Sequence, residues 1–168
     1  WLERLISHPS LEEDEGLRNE LAQTFVRVCG QCEPPGNLTP IHVEASRCLV
    51  CGGVDLAKAA RSFNDAALVH GRLRVVIVGR STADHRMVRR WLHSDKRLVL
   101  TQMPGDIRRD VDAAQTDVDH ADAVIIWDEG SISPDLLAIY KGAERHGVVP
   151  AGSIGALIKQ AANIIASD

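Results

Sequence analysis

Four cysteines stand in two tight pairs, Cys29-Gly30-Gln31-Cys32 and Cys48-Leu49-Val50-Cys51. Two side chains three positions apart on one turn can reach the same metal ion, and a second such turn completes a tetrahedron. Fifteen residues separate the pairs, a spacing that suits structural zinc. Gly30 and the pair Gly52-Gly53 flank the cysteines and let the backbone bend its amides toward the sulfurs. Structural Zn²⁺ held by Cys29, Cys32, Cys48 and Cys51 is therefore expected, with iron the less common ion for such a set. Two disulfides are the alternative, but nothing else in the chain points to an oxidising compartment.

A second group of residues could bind an anion. Gly79, Arg80, Ser81 and Thr82 follow an apolar run and precede a helical pattern, where backbone amides, hydroxyls and an arginine can meet a phosphate. Asp128, Ser131 and Ser133 follow another apolar run and would face them. A third group is a cationic helix face made by Arg86, Arg89, Arg90 and His93, suited to nucleic acid or to an acidic protein surface. Charge is polarised around it. Residues 80–109 hold eight Lys/Arg and three Asp, a balance of +5, whereas residues 110–135 hold eight acids and no Lys or Arg. Neither G-x-G-x-x-G nor G-x-x-x-x-G-K-[ST] occurs, which argues against ordinary dinucleotide binding and against a P-loop ATPase.

The elements that must position these groups read as two segments. Residues 1–72 would be a helical stretch to about residue 28, a zinc module over 29–51 and a connecting helix over 55–70. The first helix has a capping box at Ser10 and Glu13 and a stripe of Leu17, Leu21, Phe25 and Val28. The connecting helix would bury Leu56, Ala60, Phe63 and Ala67 and stop at Gly71. Residues 73–168 alternate apolar strands with helices. Strands are expected at 73–79, 97–103, 123–127 and 148–150, with helices at 84–93, 106–120, from Ser133-Pro134 to Gly147, and from Ser153. That is an α/β fold, a doubly wound (βα)4 parallel sheet with strand order 2-1-3-4. Ligands of such sheets bind outside the carboxyl ends of the strands, at the cleft between strands 1 and 3.

Composition bounds the function. At 45% hydrophobic and 25% charged residues the chain has the make-up of a globular protein, and no apolar run reaches the roughly 18–20 residues that span a bilayer. Aromatic content of 4% argues against a stacking platform for single strands. The chain begins without Met and without a signal peptide, so it is expected to be a cytoplasmic piece of a longer protein.

The cysteine module resembles zinc ribbons, which serve nucleic acids and protein contacts alike. Val75-Val76-Ile77-Val78-Gly79, His85-Arg86, Ala121-Asp122-Ala123-Val124-Ile125, Ile132-Ser133 and Lys141 resemble an uncharacterised bacterial Rossmann-like family. Pro134 replaces the histidine that this family places after Ile-Ser. Ala123 to Trp127, Lys141-Gly142-Ala143 and His146 to Pro150 are similar to the late part of BRCT repeats, without their final tryptophan. The structural metal site, together with the lack of a complete catalytic constellation, points to a non-catalytic recognition module of a larger bacterial protein, binding nucleic acid or a protein partner. A nucleotide sensor or enzyme using the strand 1 and 3 cleft is the competing expectation, and a homodimer through the sheet domain a third.

Overall fold

Val75 to Val78 and Ala123 to Trp127 are apolar, mostly β-branched runs, the composition of strands buried on both faces. In the computed structural model, which describes residues 21, 23–92 and 96–167, they form the centre of a four-stranded parallel sheet. Its strands are β3 (Arg74–Val78), β4 (Val99–Met103), β5 (Ala123–Trp127) and β6 (His146–Val149), in the order β4-β3-β5-β6. Val76 pairs with Thr101 on one side and Val124 on the other, which fixes the register.

Five α-helices are present among the described residues: α1 (Leu56–Val69), α2 (Thr82–Leu92), α3 (Val111–His120), α4 (Pro134–Lys141) and α5 (Ile154–Ala166). Side chains alternate across a strand, so each face of the sheet has its own core. Val75, Ile77, Ala123, Ile125 and Trp127 pack with α1, α2 and α5, while Val76, Val78, Val124 and Ile126 pack with α3 and α4. Helices therefore cover both faces. The first of these cores also contains Cys29, Cys48 and Cys51, so the cysteine module and the sheet share one apolar interior.

The connecting helix forms as its pattern predicts. Asp55 caps α1 by accepting the Lys58 N–H at 2.9 Å, Leu56, Ala60, Phe63 and Ala67 are buried, and Gly71 follows at φ +65°. Other expectations need correction. Phe25 and Val28 do not continue an N-terminal helix: Phe25–Val28 is β1, with Val26 and Val28 buried alternately. β-Branched residues with two-residue periodicity prevail there over the helical stripe. The rest of that stripe apart from Leu21, and the capping box at Ser10, lie outside the described residues.

The zinc-ribbon expectation is met only as far as the cysteine cluster. β1 pairs in parallel with β2 (Thr39–His42), not as a hairpin, and the crossover is the first cysteine turn with the Pro34-Pro35-Gly36 loop. α3 starts at Val111, not residue 106, because Asp110 takes the N-cap and accepts the Ala113 N–H at 2.7 Å. α4 ends at Lys141, and β6 begins earlier than expected, at His146.

Phe63 is fully buried in the core that α1 and α5 share with the sheet. Phe63→Ala should lower unfolding free energy in urea by about 3–5 kcal/mol. A loss below about 1 kcal/mol would show that α1 does not pack as described.

Candidate metal centre and the adjoining cleft

Two turns bring the cysteines together. Cys29 follows β1 directly, and the Cys32 N–H donates to the Cys29 carbonyl at 3.1 Å, closing the first turn. A 3-10 turn at Ala45–Arg47 delivers Cys48, and the Gly52 N–H donates to the Cys48 carbonyl at 2.9 Å, closing the second. Gly52 and Gly53 hold φ of +57° and +81°, which the tight return after Cys51 requires. The four sulfurs lie within 4.8 Å of one another, and Cys29 Sγ to Cys51 Sγ is 3.8 Å. A tetrahedron with Zn–S bonds of about 2.3 Å has edges of about 3.8 Å, so the donor set fits the ion. All four thiols are unbridged. His42 is exposed and is not part of the cluster.

Environment supports the same reading. Cys29, Cys48 and Cys51 are buried and Cys32 half-buried. Burial works against ionisation of Cys48, but hydrogen bonds from the backbone at Cys51, Cys29 and Val50 outweigh it and bring the thiol down to about 7. Burial raises Cys32, helped by hydrogen bonds with the Cys29 and Cys51 thiols. Cys51 is also pushed up, first by burial and then by its bonds with Cys48 and Cys29, against the Gly53 N–H that donates to its sulfur at 3.4 Å. Two thiolates about 4 Å apart repel by roughly 4 kcal/mol at an effective dielectric of about 20, so four ionise together only around a cation. A metal ion held by the four sulfurs would supply that charge, and its binding would contribute folding free energy.

The module is held on the sheet domain at two places. The Gly155 N–H in the first turn of α5 donates to the Val50 carbonyl at 3.1 Å. A Cβ at Gly155 would come within 2.3 Å of the Cys51 carbonyl, so only glycine permits this approach. On α2, Arg90 reaches Glu33 at 2.8 Å. Both groups are exposed, so this pair marks proximity more than strength.

The cleft residues converge at the ends of β3 and β5, but their donors are engaged within the chain. Gly79 has φ +100°, and a Cβ there would lie 2.1 Å from the Trp127 carbonyl. The Arg80 N–H donates to Ser131 Oγ at 2.6 Å, and that hydroxyl donates to the Asp128 carbonyl at 2.7 Å. The Arg80 guanidinium lies 3.3 Å from Asp84, 3.6 Å from Asp128 and over the Trp127 ring. Ser81 donates its N–H and hydroxyl to Asp84, at 3.3 and 2.8 Å. Thr82 donates its N–H and hydroxyl to Asp106, at about 3.0 Å. Those bonds, the Thr82 N–H first, hold the Asp106 carboxyl below its usual range.

Asp106 is the residue the sequence reading missed as part of this site. The helical pattern expected from residue 106 conceals it, although Pro104-Gly105 before it signals a turn. Ser133 lies at the N-cap of α4, and its side chain makes no cap bond.

Arg86, Arg89 and Arg90 are all exposed on α2, and Arg89 Nε donates to Gln102 at 3.3 Å. His93 lies outside the described residues. The opposite side of α2 buries Val88, Leu92 and, unforeseen from the sequence, His85. His85 Nε2 donates to the Gly79 carbonyl at 2.6 Å, a carbonyl being able only to accept, which leaves Nδ1 buried without a partner. Burial lowers the His85 value from the ordinary imidazole range. No family model matches the chain, and comparison with curated proteins and with solved structures finds no significant match.

Two outcomes follow. Removing zinc with a chelator should speed hydrogen exchange at residues 29–51 and at the Gly155 amide, while the amides of β5 stay protected. Unchanged exchange at Gly155 would refute a metal-dependent contact with α5. For His85, the unfolded state binds the proton more readily, so stability should fall as pH drops below about 6.5 and level off below the folded-state value. His85→Gln, which can still donate to Gly79, should flatten that fall relative to wild type; parallel curves would exclude His85 as its source.

Proposed function

We propose that the chain is a non-catalytic, zinc-containing recognition module that binds nucleic acid through the exposed arginine face of α2. The observation that carries this reading is the placement of Arg86, Arg89 and Arg90 on the solvent side of α2, beside the cysteine module. Charge separation supports it. α2 carries Arg86, Arg89 and Arg90 over one face of the sheet, and α3, with Asp112, Asp117 and Asp119, covers the other.

The cleft lends less to the competing reading of a nucleotide site between β3 and β5. Its amides and hydroxyls already serve Asp84 and Asp106, and an incoming phosphate would have to displace both carboxylates. The imidazoles of His85, His120 and His146 bond backbone carbonyls and activate no nucleophile. Zinc in this reading is structural: it holds the module against α2 and α5, so the surface depends on the metal.

Binding of the zinc-loaded chain to duplex DNA across a salt series tests the reading. Affinity should fall steeply as salt rises, with a log–log slope of about −0.9 per phosphate contacted. Arg86→Ala with Arg89→Ala should weaken binding at least about tenfold and flatten that slope. Absence of binding at low salt, or an unchanged slope in the double variant, would contradict it.

A further inference from the structure

The segment between β4 and α3 and the start of α4 enclose a chamber of about 380 Å³ over the strand ends, on the α3 and α4 face of the sheet. Val78 and Met103 end their strands with side chains toward that face, and Ile132 and Leu136 close the chamber from the α4 side. Met103, Ile132 and Leu136 are only half-buried, so the hollow stands open to water. Its polar neighbours are already engaged. The Arg109 guanidinium and the Tyr140 hydroxyl both bind Asp117, at 2.6 and 3.3 Å. Gln102 also borders the chamber, but its side-chain carbonyl accepts the Arg89 Nε–H of α2, on the other face of the sheet. The chamber therefore suits a wholly apolar group, because nothing inside would pair a polar one.

The apolar surface continues outside it. Ile107 and Val111 flank the opening and are 55% and 53% exposed. Exposed aliphatic side chains beside an open apolar hollow make the kind of patch that marks interaction sites. Its border is negative. Asp110 and Asp135 line the mouth with Arg108, and Asp112 and Asp119, seven residues apart on one stripe of α3, carry the acidity along that helix. Asp110 caps α3 and Asp119 accepts from Gln115, but neither bond removes the charge. None of the four has an ion-pair partner among the described residues. Four carboxylates thus stand against the one guanidinium of Arg108.

An apolar hollow with a negative border fits a ligand that is apolar at one point and cationic around it. The carboxylates are spread along α3 and the start of α4, so a chain of cations matches them better than a compact small molecule. We infer that this face docks a lysine- or arginine-rich peptide segment of a partner protein. One large apolar side chain of that segment fills the chamber, and its basic residues lie along Asp112, Asp119 and Asp135. In such an interface the buried anchor supplies most of the affinity, while the charged rim steers encounter and selects the partner. Arg108 repels a cation placed at the mouth itself, which reserves that position for the uncharged anchor. The surface lies across the sheet from Arg86, Arg89 and Arg90, so it does not compete with the proposed DNA surface.

Fluorescence anisotropy of a labelled synthetic peptide of lysine and leucine with one central tryptophan, titrated with the zinc-loaded chain, tests the inference. The peptide should bind with a Kd on the order of 10–100 µM at about 0.1 M salt, and more weakly as salt rises. The same peptide with alanine in place of tryptophan should bind at least about tenfold more weakly. Ile107→Ser with Val111→Ser, both at exposed positions that folding does not need, should weaken binding about fivefold. Asp112→Asn with Asp135→Asn should weaken it to a similar degree and flatten the salt dependence. Arg86→Ala with Arg89→Ala should leave the affinity within about twofold, since those charges lie beyond a Debye length on the other face. No binding at millimolar chain would overturn the inference. Equal binding of the alanine peptide, or full binding by the Ile107 and Val111 double variant, would reduce it to adhesion by charge and overturn it as well. Self-association of the chain alone that the same double variant abolishes would assign the patch to a second copy, against the inference.

Discussion

Four sulfurs drawn within 4.8 Å of one another are the constraint from which the rest of this molecule follows. As thiolates they repel, and a single cation would offset that repulsion. The turns that carry them cannot be held by their own apolar content. β1 and β2 are four residues each and, among the described residues, pair only with one another, too little to be stable alone. The module presents Val50 to the first turn of α5 and Glu33 to α2. It thereby becomes part of the interior that also contains Trp127 and Ile125.

The sheet domain shows how position and chemistry can separate. Its topology places two polar loops where ligands of open parallel sheets are found. Their side chains nevertheless satisfy each other. Arg80 and Asp128 sit at φ of +56° and +64°, a costly conformation for residues other than glycine, and the pairing of Arg80 with Asp84 and Asp128 helps to hold it. A cleft in which Arg80 is ion-paired and Ser81, Thr82 and Ser131 bond within the chain offers few free donors to an anion.

Much of this was legible in the sequence, and the reasons are specific. The cysteine spacing identified the cluster because geometry leaves two short turns few ways to present four thiols. The apolar runs at Val75 and Ala123 identified buried parallel strands, and α1 was readable from its cap, its stripe and Gly71. Phe25–Val28 was misread because helical and strand periodicities coincide over four residues, and burial of Val26 decides between them. Asp106 was missed because its role depends on Thr82, twenty-four residues earlier and adjacent only in the fold. The parallel pairing of β1 with β2 has no local signal at all.

The central claim is an all-sulfur metal centre that locks the cysteine module into the core. Zinc K-edge X-ray absorption of the purified chain tests it most directly. A shell of four sulfurs at about 2.3 Å is the result this account predicts. A mixed shell containing nitrogen or oxygen, or a chain that folds without retaining metal, would contradict it.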